Sequence, residues 1–501
     1  MSSSTKLLRR LVAGSLLGAL LAAGVQAAEL PEPVARLMQS SGIPPEAAGI
    51  VVIRGDATLV AHNAQLSMQP ASTMKLFTAM TALELLGPVF RGRTEFRSSA
   101  EVVNGVLQGD LILRGGADAD FNEDALSHML EALRNQGIRK IKGDIVVDRL
   151  LFQPSRPDAG QPPFDEYPWA YYNVIPNAAL LNTNLLKVEL RSTGDKLSLV
   201  MMPELDKVGI RSEMKLSDAP CAAWENGWRS PDYTRKGERI EVVLHGSFPK
   251  DCVKSTSINV LDSQDYLARL LLAEWRKQGG SLSGEVREAI LPNAATPAPI
   301  APLTRLLAEH VSRTLPEVLR DTNKQSDNTL ARTIFLSLGS LETDPALGSR
   351  PLAADGAQAS TAMRAETTIR AWLQQHNIDG NGLVLDNGSG LSRTERATPA
   401  QLAGVLQAGL KSLWMPEFLA SLPIAATDGT LRRRLTDSPA AQRARLKTGS
   451  LKGVIAIAGY VQDANKQACI VVAILNDEHV ANGAGRAVLD ALVDWVARSG
   501  N

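Results

Sequence analysis

Apolar residues cluster in short strand-like runs at both ends of the chain. Near the N-terminus, the runs 48–53 and 58–61 flank a turn that contains a glycine, which predicts a β-hairpin. Near the C-terminus, the runs 453–461 and 467–475 predict a second hairpin, and an amphipathic helical pattern follows over 488–496. Strands at both ends with helices beside them predict an α+β fold, built on one antiparallel sheet to which both termini contribute.

The middle of the chain has a different pattern, with short apolar runs separated by clusters of turn residues. Five such runs occur at 107–113, 141–147, 187–190, 196–201 and 239–244. They predict β-rich accessory domains inserted between the two halves of the domain that holds the terminal sheet. The segment 154–177 is dense in Pro, Tyr and Trp, and we expect the boundary between two accessory units there. We expect its aromatic residues to be mainly core, with a sugar-stacking surface as the alternative.

The predicted organisation therefore has a removable N-terminal segment and three domains. The signal peptide covers 1–27, domain I comprises 28–93 and 288–501, domain II comprises 94–160 and 256–287, and domain III, nested in domain II, covers 161–255.

The N-terminus has the features of a secretory signal. Lys6, Arg9 and Arg10 precede the apolar run 11–23, and the small-residue site 25–27 suits cleavage. The apolar run is short for a transmembrane helix, so we predict an exported protein without a stable membrane span. An uncleaved membrane anchor is the alternative.

The composition excludes some classes of function. The chain has 501 residues, is 44% hydrophobic and 21% charged, and has a formal net charge of zero. Without a basic excess, nucleic acid is not an expected partner. The six histidines show no metal-ligand spacing, so we predict neither a metal site nor a cofactor.

Three cysteines are present, and export permits a disulfide. Cys221 and Cys252 lie close in sequence among turn residues, whereas Cys469 lies inside an apolar run. We predict that the first two are paired and that Cys469 is a buried thiol.

The motif Ser-x-x-Lys is the first candidate for catalytic chemistry. It occurs four times, and only at Ser72 and Lys75 does it begin a long helical pattern. Residues three apart share one face of a helix, so the lysine can reach the serine hydroxyl. The other copy free of proline and of the signal segment, Ser212 and Lys215, lies among the predicted strands of the middle region.

Two further motifs follow in order. Ser326-Asp327-Asn328 opens an apolar helical run at 330–338, and Lys447-Thr448-Gly449 precedes the last hairpin. Ser-x-Asn recurs at Ser257 and Asn259 and is weak alone, whereas Lys-Thr-Gly occurs once. The ordered set of three motifs is known from penicillin-binding proteins and class A β-lactamases.

Each residue of this set suits a particular step of a serine acyl-transfer reaction. Ser72 is the predicted nucleophile and Lys75 its base, with Lys447 nearby keeping Lys75 deprotonated because like charges repel. Ser326 can relay a proton to the leaving amine, and Asn328 can hold a substrate amide.

The remaining residues of the third motif are assigned to substrate. Lys447 and Thr448 suit a substrate carboxylate, and Gly449 permits the substrate to approach the backbone closely. The N–H groups of Ser72 and Ser450 are the predicted oxyanion donors.

Over nearly the whole mature chain, the sequence resembles one family in particular. The three motifs, their spacing, and the segments 323–328, 388–393 and 428–431 are similar to the D-alanyl-D-alanine carboxypeptidases/endopeptidases called class C low-molecular-mass penicillin-binding proteins. The resemblance implies a periplasmic serine peptidase that cleaves peptidoglycan stem peptides and that β-lactam antibiotics acylate.

The resemblance also implies a pocket for a diaminopimelate side chain. It assigns an acid from an accessory domain, which is similar in context to Asp148, and places Leu391, Arg393 and Leu451 near the active site. On this assignment, Asp148→Ala is expected to impair cleavage of diaminopimelate-containing peptides while leaving penicillin acylation nearly unchanged.

Two other functions stay open at this stage. A serine β-lactamase shares the acylation step but must also deacylate rapidly, and the long insertion suits a peptidase better. The second alternative function is a non-catalytic wall-binding or penicillin-sensing module. The intact Ser72 and Lys75 pair argues against it. The balance between carboxypeptidase and endopeptidase action is not predicted by the sequence.

Overall fold

The computed structural model describes residues 30–290, 304–353 and 359–500. The predicted signal peptide lies outside these residues. The N-terminal elements are α1 (Glu32–Ser41), β1 (Ala48–Arg54), β2 (Ala57–His62), a 3₁₀ turn (Ala71–Met74) and α2 (Lys75–Leu85).

The middle region contains most of the strands. In chain order its elements are β3 (Arg93–Ser98), β4 (Val102–Val103), β5 (Val106–Leu107), β6 (Leu111–Gly116), α3 (Glu123–Asn135), β7 (Lys140–Ile141), β8 (Ile145–Asp148), β9 (Leu186–Ser192), β10 (Leu197–Met202), β11 (Val208–Ser212), β12 (Lys215–Ser217), β13 (Trp228–Lys236), β14 (Arg239–Pro249), β15 (Val253–Ile258), α4 (Ser263–Lys277), β16 (Ser281–Leu282) and β17 (Val286–Glu288).

The C-terminal region is mainly helical until its last hairpin. Its elements are β18 (Arg305–Val311), α5 (Leu315–Lys324), α6 (Asn328–Leu338), β19 (Leu341–Asp344), β20 (Gly348–Pro351), α7 (Thr361–Gln375), α8 (Pro399–Lys411), α9 (Met415–Ser421), β21 (Arg445–Leu451), β22 (Val454–Gln462), β23 (Ala468–Asn476) and α10 (Ala484–Arg498).

The main sheet is antiparallel and draws strands from both ends of the chain. Its order is β2-β1-β23-β22-β21. Along β1, Ile50 and Val52 pack with α1 and α10, while Val51 and Ile53 pack with α2 and α8. Because side chains alternate between the two faces of a strand, helices on both faces bury every residue of β1 except Arg54. The α+β fold predicted from the two terminal hairpins is confirmed.

The accessory region is β-rich, but two of its predicted strands are each divided. The run 107–113 is split between β5 and β6, and 141–147 between β7 and β8. Gly109 and Gly143 lie at the two breaks, and β5 and β7 join one sheet whereas β6 and β8 join another. Glycine weakens a strand interior and permits such bends.

A second hydrophobic core lies beneath these accessory sheets. It includes Phe96, Leu130, Val242 and Trp275, which come from strands and from α3 and α4. Strand β18 follows the expected domain II boundary, yet it pairs with β3 in the sheet β17-β8-β6-β3-β18. The domain boundaries given above stay a prediction.

The predicted cysteine states are confirmed. Cys221 and Cys252 form a disulfide with their Cα atoms 5.4 Å apart, and Cys469 is a buried free thiol. The aromatic segment is only partly core, because Tyr167 and Tyr171 are exposed. In the described part of the chain, no helix is long and apolar enough to cross a membrane.

Candidate active site

Ser72 lies in a strained turn at the start of α2. The preceding residue, Ala71, has a φ of +45°, which is uncommon for a residue other than glycine. Gly390 and Gly449 pack on this turn so closely that a Cβ on either would lie 2.7 and 3.0 Å, respectively, from the Ser72 backbone nitrogen. These two glycines therefore let a loop and a strand approach the nucleophile from two sides.

Lys75 is completely buried, and its amine has three partners. Its Nζ is 3.0 Å from Ser72 Oγ, 2.7 Å from Asn328 Oδ1 and 2.6 Å from the carbonyl oxygen of Ser389. A neutral amine has two hydrogens and one lone pair. Since the two carbonyl oxygens can only accept, they take both hydrogens and leave the lone pair directed at the Ser72 hydroxyl.

Burial lowers the pKa of Lys75 to about 7. Asp327 and Glu395 act in the opposite direction, and Arg332 lowers the pKa further. Removing a cation from water disfavours its charged form, so a substantial fraction of Lys75 is neutral at physiological pH. The lysine can therefore serve as the base for Ser72.

Lys447 is also fully buried, and it connects the second and third motifs. Its Nζ is 2.8 Å from Ser326 Oγ and 2.7 Å from the carbonyl oxygen of Thr448. Burial and then repulsion by Lys75 lower the pKa of Lys447. Lys447 was the cation predicted to repel Lys75, but burial is the main cause of the lowered pKa of Lys75, and the cation that contributes is Arg332.

Asn328 is hydrogen-bonded within the protein, and its predicted contact with a substrate amide stays a prediction. Its Oδ1 accepts a hydrogen bond from Lys75, and its Nδ2 donates one to the carbonyl oxygen of Tyr172 at 3.2 Å. Both ends of the amide are thus engaged within the protein. Asn328 orients the base and joins it to the accessory region, and a substrate amide would have to displace one of these bonds.

A loop held by Glu395 supplies the carbonyl oxygen that orients Lys75. Glu395 is fully buried and accepts hydrogen bonds from the backbone N–H groups of four residues of this loop, Asp386, Asn387, Gly388 and Gly390. Burial raises the pKa of this carboxyl group. Glu395 was not predicted from the sequence, since a single glutamate after a glycine-rich turn carries no recognisable spacing.

An ion pair between the buried Lys324 and the half-buried Asp428 positions the third motif. Lys324 Nζ is 2.6 Å from Asp428 Oδ2 and 2.9 Å from the carbonyl oxygen of Leu422. The residue Thr430, two positions after Asp428, has its Oγ1 2.7 Å from Thr448 Oγ1. The pair thus joins the end of α5 to the loop that carries Thr430 and places the two hydroxyls together.

Strand β21 forms an edge of the main sheet beside Ser72. In the described sheet it pairs with β22 on one side. Its Gly449 lies against the Ser72 turn, and Ser450 is exposed. An edge strand presents backbone groups to which an extended peptide can bind. The N–H groups of Ser72 and Ser450 stay the predicted oxyanion donors.

The residues expected to bind the diaminopimelate side chain do not all meet. Leu391 follows the loop that Glu395 holds and is buried, and Arg393 Nη1 donates to the carbonyl oxygen of Lys452 at 3.1 Å, just beyond Leu451. The guanidinium of Arg393 lies over the ring of Phe164, 5.7 Å from its centroid.

Asp148 lines a different cavity from the region around Arg393. Its Oδ1 accepts a hydrogen bond from the N–H of Leu150, and it lines a cavity of about 370 Å³ between β3, β6 and the β19–β20 hairpin. Residues of the three motifs do not line this cavity in the part of the chain that the structure describes. No hydrogen bond in the described part of the chain joins Asp148 to Arg393, and the assignment of Asp148 to the diaminopimelate pocket, which rests on a short sequence context, stays a prediction.

The competing Ser-x-x-Lys motif does not have the geometry of a serine nucleophile and its base. Ser212 ends β11 and Lys215 begins β12, and both strands pair with β14. Residues three apart on such a strand–turn–strand segment do not share a helix face. Among the described residues, no group of three His, Cys, Asp or Glu side chains could hold a metal ion.

Known proteins share this architecture. The D-alanyl-D-alanine carboxypeptidase DacB of Haemophilus influenzae is 27% identical over 435 residues, which cover 83% of this chain and 82% of that protein. A D-alanyl-D-alanine carboxypeptidase of an Actinomadura species is 27% identical over 486 residues, which cover 94% of this chain and 85% of the relative. The crystal structure of penicillin binding protein 4 from Haemophilus influenzae matches with a TM-score of 0.74 at 25% identity, covering 93% of this chain and 99% of that one.

The fold and the Ser72–Lys75 pair define a serine peptidase of the β-lactamase/transpeptidase-like fold. The chain belongs to the D-Ala-D-Ala carboxypeptidase 3 (S13) family, whose sequence model matches residues 30–499. It is therefore a serine-type D-Ala-D-Ala carboxypeptidase, and its relatives act on the cell wall.

Proposed function

We propose that this protein is a periplasmic DD-peptidase that cleaves peptidoglycan stem peptides through an acyl-enzyme at Ser72. The bonds that it cleaves are the D-Ala–D-Ala bond and the D-Ala–diaminopimelate cross-link. The observation that carries the proposal is the buried Lys75 amine, whose two hydrogens are directed to carbonyl oxygens and whose lone pair faces Ser72 Oγ at 3.0 Å.

Acylation transfers the Ser72 proton to Lys75 while Oγ attacks the carbonyl carbon of the penultimate D-alanine. The developing oxyanion is stabilised by the N–H groups of Ser72 and Ser450. When the C–N bond breaks, the proton that Lys75 took from Ser72 passes through Ser326 to the leaving amine, and Lys447 Nζ lies 2.8 Å from the Ser326 hydroxyl. Water then attacks the ester and gives a proton to the neutral Lys75 amine, and Lys75 passes this proton to Ser72 Oγ as the shortened peptide is released.

Substrate binding is assigned to the middle and the C-terminal end of β21. Thr448, with Thr430 beside it, holds the carboxylate on the leaving side, and Lys447, which donates to the carbonyl oxygen of Thr448, is assigned to the same carboxylate. Leu391, Arg393 and Leu451 contact the donor side of the scissile bond. Gly449, between them, lets the substrate lie close to the Ser72 turn.

β-Lactam antibiotics present a strained amide and a carboxylate to the same groups, so we expect penicillin to acylate Ser72. A structural relative carries the name penicillin binding protein. Export to the periplasm rests on the basic residues and apolar run of the N-terminal segment.

Mass spectrometry after incubation with benzylpenicillin tests the proposal, with the half-life of the adduct measured. A long-lived adduct on Ser72, together with release of D-alanine from a muramyl pentapeptide, is the expected result. Rapid release of the adduct without peptide hydrolysis identifies a β-lactamase instead. Absence of both an adduct and hydrolysis identifies a non-catalytic binding protein.

A further inference from the structure

A large cavity rich in arginine opens beside the third motif. Its volume is about 950 Å³, and it is lined by Thr430, Thr448, Ser450 and a group of arginines, namely Arg432, Arg433, Arg434 and Arg486. Pockets of 300–1,000 Å³ are typical of small-molecule sites. The cavity is continuous with the residues that we assign to the substrate carboxylate, and it has space beyond them.

Most of this positive charge is not neutralised by the protein. Arg434 is paired with Asp490, with Nη2 and Oδ1 2.6 Å apart. Arg432, Arg433 and Arg486 are exposed, and none of them forms an ion pair with a residue that the structure describes. No Asp or Glu is among the described residues that line the cavity. Three guanidinium groups are thus available for an anionic ligand.

The cavity lies on the leaving-group side of the scissile bond. Arg393 marks the donor side, because it reaches the carbonyl oxygen of Lys452 beyond the C-terminal end of β21. Thr448 and Thr430, whose hydroxyls are 2.7 Å apart, mark the side of the leaving carboxylate. A leaving group longer than one residue would continue from these threonines toward Arg432 and Arg433.

We propose that this arginine cavity binds the carboxylates of a leaving stem peptide, and so favours cleavage of cross-links over release of a single D-alanine. The inference rests on the proposed function, since it takes Thr448 as the carboxylate contact. A leaving D-alanine carries one carboxylate, which the threonines can hold. A leaving stem peptide presents the diaminopimelate carboxylate beside the cleaved bond to the same threonines, and it carries further carboxylates on its D-glutamate and terminal D-alanine residues. Guanidinium groups recognise carboxylates with paired hydrogen bonds.

The test compares three reactions of the mature protein and of the double variant Arg432→Ala/Arg433→Ala. They are cleavage of a cross-linked muropeptide dimer, release of D-alanine from a monomeric pentapeptide, and acylation by benzylpenicillin. We expect kcat/KM for the dimer to fall about tenfold, since each exposed charge contributes modestly, while the other two rates change less than about twofold. The charge-preserving variant Arg432→Lys/Arg433→Lys should recover much of the loss.

A matched control removes two exposed cations elsewhere. Lys236 and Arg239 lie in the β13–β14 turn, and Lys236→Ala/Arg239→Ala changes the net charge equally. It should leave all three reactions unchanged. Raising the salt concentration should reduce dimer cleavage more in the wild type than in the Arg432→Ala/Arg433→Ala variant, because screening acts on the attraction that the variant lacks.

Dimer cleavage by the arginine variant within twofold of wild type overturns the inference, and so does an equal loss in all three reactions. The wild-type reactions with benzylpenicillin and pentapeptide test the proposed function separately. Binding of the dimer can also be measured by calorimetry in a Ser72→Ala background, where no hydrolysis is needed. If the Ser72→Ala protein binds the dimer with the same affinity whether or not Arg432 and Arg433 are also replaced, the inference is excluded. This result does not depend on catalytic activity.

Discussion

The rate at which benzylpenicillin acylates Ser72 should follow the titration of Lys75. Because burial lowers the pKa of this lysine to about 7, only the neutral fraction can accept the serine proton. That fraction is about 9% at pH 6 and about 91% at pH 8, so the rate constant should rise about tenfold over this interval and then level off.

An unperturbed lysine gives a different profile. With a pKa near 10.5, the neutral fraction rises about hundredfold from pH 6 to pH 8 and is still rising at pH 9. Stopped-flow or rapid-quench measurement of acylation across pH 5.5 to 9.5 separates the two cases. A rise that continues past pH 9 would refute the lowered pKa, and a flat profile would refute Lys75 as the base.

A single substitution tests the electrostatic part of this reasoning. Asp327 is the first of the charged groups that raise the pKa of Lys75, and its side chain also caps α6 by accepting the N–H of Leu330. Asp327→Asn removes the charge while asparagine keeps the cap. The midpoint of the acylation profile should therefore move to lower pH without loss of thermal stability. A shift to higher pH would contradict the assignment.

The same titration affects the folded state. The unfolded chain keeps the Lys75 proton up to about pH 10.5, whereas the folded protein releases it near pH 7. The unfolded state thus binds more protons between these values, and this group makes the free energy of unfolding rise with pH across that window.

Four further predictions are direct. Ser72→Ala should abolish acylation and hydrolysis while the circular dichroism spectrum stays native, and any residual covalent label would contradict the nucleophile. Lys447→Ala should lower both peptide turnover and penicillin acylation, and an unchanged acylation rate would make this lysine purely structural. Asp148→Ala should lower cleavage of diaminopimelate peptides relative to penicillin acylation, so an unchanged ratio would contradict the assignment of Asp148 to the diaminopimelate pocket. Thiol titration of the denatured, unreduced mature protein should find one free group, whereas three would exclude the bond between Cys221 and Cys252.

Local patterns in the sequence predicted the terminal elements and the candidate nucleophile. The apolar runs at both termini predicted the hairpins of the main sheet, and the helical period after Ser72 placed Lys75 one turn away. These inferences depend on contacts between residues close in the chain, and helix and strand periods fix those contacts. The order of the three motifs added the family resemblance, which the S13 match bears out.

Only the tertiary structure decided what surrounds the base. Asn328 and Ser389 are 253 and 314 residues from Lys75, and no local pattern could place their oxygens on its two hydrogens. The lowered pKa follows from complete burial, a property of the packed core rather than of a motif. The lysine predicted from the motif lies beside Ser72, but Lys447, which was predicted to cause its low pKa, is not among the groups that shift it.

Tertiary packing also decided the surroundings of Asp148, the role of Glu395 and the formation of the arginine cavity. A carboxylate at the end of a strand can face solvent, a cleft or another domain, and the packing of β3, β6 and the β19–β20 hairpin decided this for Asp148. Glu395 acquires its role only when a loop folds around it, and Arg486 joins Arg432 and Arg433 only because α10 packs beside β22. Sequence periodicity determines which face of an element is buried, whereas the groups that meet across elements depend on how those faces pack.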